Sequence, residues 1–169
     1  MNFAKINSIN YANVVHKIPL PTSSVEVCYA SHMLEHLDRK EAQLFLAEAK
    51  RVLKDKGILR VVVPNLKQLA DEYQLNGDAN RFIKSSLLTA DKSHGFLNRL
   101  KSLISGARHH QWMYDEKSLC VLLMDNGFTD TIALQAGQTR IQNPGELNLR
   151  ERFEESIYVE AISKSGQSI

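Results

Sequence analysis

Residues 25–31, Val-Glu-Val-Cys-Tyr-Ala-Ser, alternate apolar with mixed positions and are rich in β-formers. That pattern, bounded upstream by Pro19, Pro21 and Ser23-Ser24, predicts a strand. From Asp38 the period changes. Ala42, Phe45, Leu46, Ala49, Val52 and Leu53 recur at helical spacing, and Asp38 with Glu41 three residues later suits a capped start. Lys54 and Lys56 stand where cations complement the helix dipole, and Gly57 is the expected stop. The β-branched run Ile58–Pro64 then predicts a second strand, so strand, helix and strand follow within about 40 residues, as in a parallel crossover unit. This is α/β patterning.

Between Asn65 and Met113 three more helical stretches are expected, around Leu66–Tyr73 (stopping at Asn76-Gly77), Ala79–Leu87 and Phe96–Ile104 (stopping at Gly106). They predict a helical lid inserted at about 66–113. Asp115 is placed to cap a helix that buries Leu119, Leu122 and Leu123 and stops at Asn126-Gly127. Phe128–Gly137 and Ser156–Ser163 read as closing strands, paired antiparallel through the loop carrying Pro144-Gly145. The Leu149–Ser156 stretch is expected to be an exposed lead-in to the last strand.

Composition narrows the class without adding elements. A chain of 169 residues, 43% hydrophobic and 24% charged, is one ordinary globular domain over 1–169. The apolar runs are too short for a bilayer, and the mixed N-terminal stretch lacks the layout of a signal peptide, so a cytoplasmic location is the expectation. A net charge of +2 gives no reason to invoke nucleic acid. Cys28 and Cys120 lie in apolar segments without C-x-x-C spacing and read as packing residues. Trp112 and Tyr114 are assigned to packing at the entry of the Asp115 helix.

Candidate chemistry centres on His32-x-x-Glu35-His36, the spacing of an inverted zinc-peptidase signature. Such a site needs both histidines on one face of a regular helix and a further ligand. Here the string directly follows a strand, the convincing helix begins only at Asp38, and no closing donor stands out, so no metal is expected. His109 and His110, adjacent on one segment, make an awkward chelating pair. The stretch 78–110 carries six Lys/Arg against Asp78 and Asp91. It reads either as a solvated helix face or as a basic lid for an anionic acceptor.

The segment Ile18–Asn65 resembles the class I S-adenosylmethionine (SAM)-dependent methyltransferases. Four elements occur in that family's order: a Leu-Pro turn leading to an acidic residue (Ile18–Glu26), an H-x-L-E-H turn (His32–His36), a helix ending R-V-L-K-x-x-G (Arg51–Gly57), and a strand (Ile58–Pro64). His110–Phe128 and the closing strand are similar to that family's last helix and final strands. The resemblance implies a truncated Rossmann-like fold, α/β, with a mostly parallel sheet, an antiparallel C-terminal strand pair and a helical insert.

It implies SAM as cofactor, with small Ala30 and Ser31 and His32 at the strand tip beside its methionine end, and Asn13 near its adenine. It also implies a small-molecule methyl acceptor, carbohydrate-linked or anionic, met by His32, Glu35 or His110 as proton acceptor. The family's glycine-rich cofactor loop has no counterpart in the residues given, whose first glycine is Gly57. Weakened or absent SAM binding is therefore expected. The first strand of the family also has no counterpart, which leaves Val25–Ser31 with an open edge. Either Phe3–Val15 folds back on that edge or a second copy of the chain pairs there as a homodimer. The rival reading is a non-catalytic module that keeps the scaffold for dimerisation or partner binding; a zinc hydrolase on His32 and His36 is a third.

Overall fold

A computed structural model describes residues 12–88 and 109–164. Their order is β1 (Val25–Ser31), a single 3-10 turn (Leu34–His36), α1 (Arg39–Val52), β2 (Leu53–Pro64), α2 (Leu66–Asn76), α3 (Ala79–Ser86), α4 (Glu116–Asp125), β3 (Phe128–Leu134) and β4 (Ser156–Ser163). These strands form one sheet in the order β1-β2-β4-β3. β1 runs parallel to β2, while β4 is antiparallel to both β2 and β3. The α/β class and the antiparallel C-terminal pair read from the sequence are both present.

α1 begins where the sequence places it. Asp38 accepts from the Glu41 amide at 2.8 Å and Glu41 reaches back to the Asp38 amide at 3.0 Å, a complete capping box. The helix turns Ala42, Phe45, Leu46, Ala49 and Val52 onto one buried face. Asp115 caps α4 in the same way with Ser118, and α4 buries Leu119, Leu122 and Leu123. Both helices share one core with Leu59, Val61 and Val63 of β2 and Ile157, Val159 and Ala161 of β4.

The opposite face of β2 and β4 carries Arg60, Val62, Tyr158 and Glu160, all buried as well. Residues 135–155 cover it. Arg60 donates to the carbonyls of Gln138 (2.9 Å) and Leu149 (3.3 Å), and the Tyr158 hydroxyl donates to that of Glu151 at 2.7 Å.

The sequence reading differs from the structure at two boundaries and in the burial of one aromatic residue. The helix expected to run to Gly57 ends at Val52, where Leu53 is already extended. Leu53 pairs with Val25 and Ile58 with Val27, so the extra residues bulge out of β2. Their polarity, Lys54-Asp55-Lys56, suits a bulge as well as a helix end. The strand expected to reach Gly137 stops at Leu134, and Gly137 turns the chain at φ +87. Trp112, assigned to packing, is 44% exposed with the Arg39 guanidinium stacked 4.9 Å from its ring, whereas Tyr114 is buried as expected.

α2 and α3 supply two of the expected lid helices, ending in left-handed residues Gly77 and Leu87 and packed through Tyr73 and Phe82, 5.5 Å apart. The third, Phe96–Ile104, and most of the basic stretch lie outside the described residues. So do residues 3–11 of the segment expected to cover β1. Among the described residues β1 has a strand neighbour on one side only.

Candidate functional site

The site grows from the end of β1. The His32 amide still donates to Val62 O at 2.8 Å, as if the strand continued, but the residue itself adopts φ +47. A non-glycine residue in the left-handed region is strained and persists only where its surroundings hold it. The reversal throws the chain off the sheet into the 3-10 turn. Leu34 and Glu35 of that turn are buried, Glu35 at 1% exposure.

The turn also gathers a distant segment. The Glu35 carbonyl accepts from the amides of Gln111 (2.7 Å) and Trp112 (3.2 Å), and the His110 amide donates to Leu87 O at 3.0 Å. His110 thereby sits between the turn and the end of α3. Its Nδ1 lies 2.7 Å from Ser86 O and 3.2 Å from Met113 Sδ. Burial pushes this imidazole below its ordinary pKa, against the pull of Glu35 and the Ser86 carbonyl.

Four side chains converge. Glu35 Oε1 is 3.2 Å from His32 Nδ1 and 3.9 Å from His36 Nε2. The His36 and His110 rings meet edge to face at 5.1 Å. His36 Nδ1 is 3.2 Å from His109 O, and His32 Nε2 is 3.1 Å from Ser156 Oγ at the start of β4.

Beside the cluster is a cavity of about 300 Å³ over the carboxyl ends of β1 and β2. His32, Pro64 and Asn65 form its floor, α2 and α3 a wall with Gln68, Glu72, Arg81 and Lys84, and Arg152, Glu155 and His110 complete it. In open α/β sheets ligands bind beyond this end of the strands.

The sequence-predicted residues divide here. His32 and His110 line the cavity, while Glu35 lies behind His32 and is not part of the lining. Ala30, 6% exposed, packs in the core one residue before the half-buried Ser31. Asn13 is exposed, and its Oδ1 accepts from the Val15 amide in a local turn at 3.2 Å. For SAM the fit is thus confined to the strand tip, where small Ala30 and Ser31 precede the kink at His32.

Sequence reasoning missed the cavity's polar wall from α2 and the contribution of Arg152 and Glu155. The only available signal for the latter was their place just before a strand that pairs with β2. Cys28, assigned to packing, does pack against the core, and burial pushes its thiol up to about 11, far from a reactive thiolate.

Another motif has a structural task. Arg51, of the R-V-L-K run, donates to Leu20 O and Ile18 O at 2.9 Å each and pairs with Glu48 at 2.7 Å, while Glu48 accepts from the Ile18 amide at 2.9 Å. The two residues fasten the Leu-Pro turn that feeds β1.

Residues 4–61 match the methyltransferase domain family. No curated protein matches. Among solved structures the fold is similar to a SAM-dependent methyltransferase of Archaeoglobus fulgidus, at 14% identity and a TM-score of 0.51, covering 95% of this chain and 69% of that one. It is also similar to a SAM-dependent methyltransferase of Thermotoga maritima, at 18% identity and a TM-score of 0.51, covering 89% of this chain and 61% of that one. The match covers about a third of the chain, and the described residues share the fold of these SAM-dependent methyltransferases.

Proposed function

We propose that this domain takes part in SAM-dependent methyl transfer to a small acceptor held in the cavity over His32 and His110. The carrying observation is position: the kinked tip of β1 and the end of β2 open into one polar cavity walled by α2 and α3. Ala30, Ser31 and His32 would border SAM, which when bound supplies an electrophilic methyl group on a sulfonium. An acceptor hydroxyl or amine must lose a proton as it is methylated. His32 lines the cavity with Nε2 3.1 Å from Ser156 Oγ, and the Glu35 carboxylate 3.2 Å from Nδ1 is placed to orient the ring as the proton acceptor. Arg81, Lys84 and Arg152 in the lining suit an anionic or phosphorylated acceptor. Asn13 remains the proposed adenine contact if its turn opens toward the ligand. Among the described residues no helix is long and apolar enough to cross a membrane, and a cytoplasmic setting belongs to the same proposal.

Calorimetric titration with SAM tests this reading. Heat with a micromolar constant supports it; silence at millimolar ligand supports the second reading, a non-catalytic module that pairs with a copy of itself or a partner. The observation favouring that alternative is the edge of β1, which has no strand neighbour on its outer side among the described residues. Sedimentation of the same sample reports the homodimer that the edge would form.

A further inference from the structure

The Glu35 carboxylate has His32 Nδ1 at 3.2 Å and His36 Nε2 at 3.9 Å beside Oε1, and these contacts leave it incompletely satisfied. Its residue is 1% exposed, and neither oxygen has a hydrogen bond of proper geometry. A buried carboxylate in that state is costly unless a positive partner reaches it. The nearby imidazoles are oriented in a particular way. A backbone carbonyl can only accept, so His36 must donate its Nδ1–H to His109 O and His110 its Nδ1–H to Ser86 O. In each neutral ring this leaves Nε2 as a bare lone pair. Fixing one ring nitrogen on a carbonyl so that the other can ligate is how proteins orient metal-binding histidines.

We propose that Glu35, His36 and His110 form a site for one divalent transition-metal ion, of the zinc class. One ligand atom from each lies within 4.8 Å of the other two. Around a four-coordinate ion with bonds of about 2.0–2.2 Å, neighbouring ligand atoms stand roughly 3.3 Å apart, so the side chains must close by no more than about 1.5 Å. Two imidazoles and a carboxylate make a borderline-soft set that prefers Zn²⁺, Co²⁺ or Fe²⁺ to Mg²⁺ or Ca²⁺. They leave an open coordination position, and His110 is the ligand that also lines the cavity. An acceptor oxygen or water would reach the ion from there. The zinc pairing read from the sequence, His32 with His36, is not the one this geometry offers. His110 enters in place of His32, which is not among the three residues whose ligand atoms come together.

The test is a titration of the chelator-stripped full chain with Zn²⁺ or Co²⁺ alone. One equivalent is expected to remain bound through gel filtration, with visible Co²⁺ d–d bands of a four- or five-coordinate N/O site and a raised melting temperature. Glu35→Gln, His36→Gln and His110→Gln should each weaken binding at least about tenfold, while the exposed control His16→Gln should not. If a variant fails to fold by circular dichroism, the wild-type stoichiometry and Co²⁺ spectrum still decide. No retained ion, or a Co²⁺ spectrum indistinguishable from the free ion, overturns the site. The readout needs no SAM. Metal binding with no SAM binding would sink the proposed function and keep the site; the converse would do the opposite.

Discussion

Arg60 and Glu160 face each other across β2 and β4 with Nη1 to Oε1 at 2.7 Å, and neither side chain is exposed. Thr139 Oγ1 and the Arg140 amide complete the carboxylate at 2.6 and 2.9 Å. The pair therefore anchors the 135–155 segment that carries Arg152 and Glu155 to the cavity. Breaking it by Arg60→Met alone strands a buried charge and should cost about 3–5 kcal/mol in urea unfolding. Replacing both, Arg60→Met with Glu160→Leu, should recover much of that loss.

The same carboxyl predicts a pH dependence. Burial works to raise the Glu160 pKa, but the bonds from Thr139, the Arg140 amide and Arg60 outweigh it and hold the group below the usual carboxylate value. A depressed folded-state pKa means that this stabilisation is fully present above the unfolded value, about 4.3, and is lost as pH falls through the folded one. Unfolding free energy measured from pH 7 downward should fall below about pH 4.5, and Glu160→Gln should flatten the descent while lowering the plateau.

Arg51 and Glu48 give a more local prediction. The Arg51 guanidinium holds the Glu48 carboxyl down to about 2, helped by the Ile18 amide and resisted by burial. In Arg51→Ala the Glu48 resonance should titrate in the ordinary carboxylate range by NMR. Amide exchange over residues 18–24 should rise, with a global cost of only about 1 kcal/mol because the pair is partly exposed.

How far the sequence could be read depends on whether an interaction is local. β1, both Asp caps and the stops at Gly77 and Gly127 were legible because each rests on residues within one turn or one alternation. Arg60 and Glu160 were not, since a charge in an apolar run looks like a strand's solvent face until register pairs it with another. The fold class followed from short motifs. The entry of His110 did not follow from spacing, because the Glu35 carbonyl that accepts from Gln111 and Trp112 brings that segment in from far along the chain.

Gly57 tests whether α1 ends at Val52 and the chain is already in β2. A Cβ there would stand 3.0 Å from Lys54 O and 3.1 Å from Glu26 O, both backbone atoms. Gly57→Ala should therefore cost about 1–3 kcal/mol in thermal or urea unfolding, the range for overpacking. If Gly57 merely ended a helix in solvent, the substitution would be nearly neutral.

The claim on which the functional reading rests is that the kinked tip of β1 borders the ligand cavity. Amide chemical-shift mapping of the ¹⁵N-labelled chain during addition of SAM measures it directly. The account predicts saturable shifts concentrated at Ala30, Ser31 and His32 and extending to Asn65 at the end of β2. Shifts confined to other parts of the fold, or none at millimolar SAM, would contradict it.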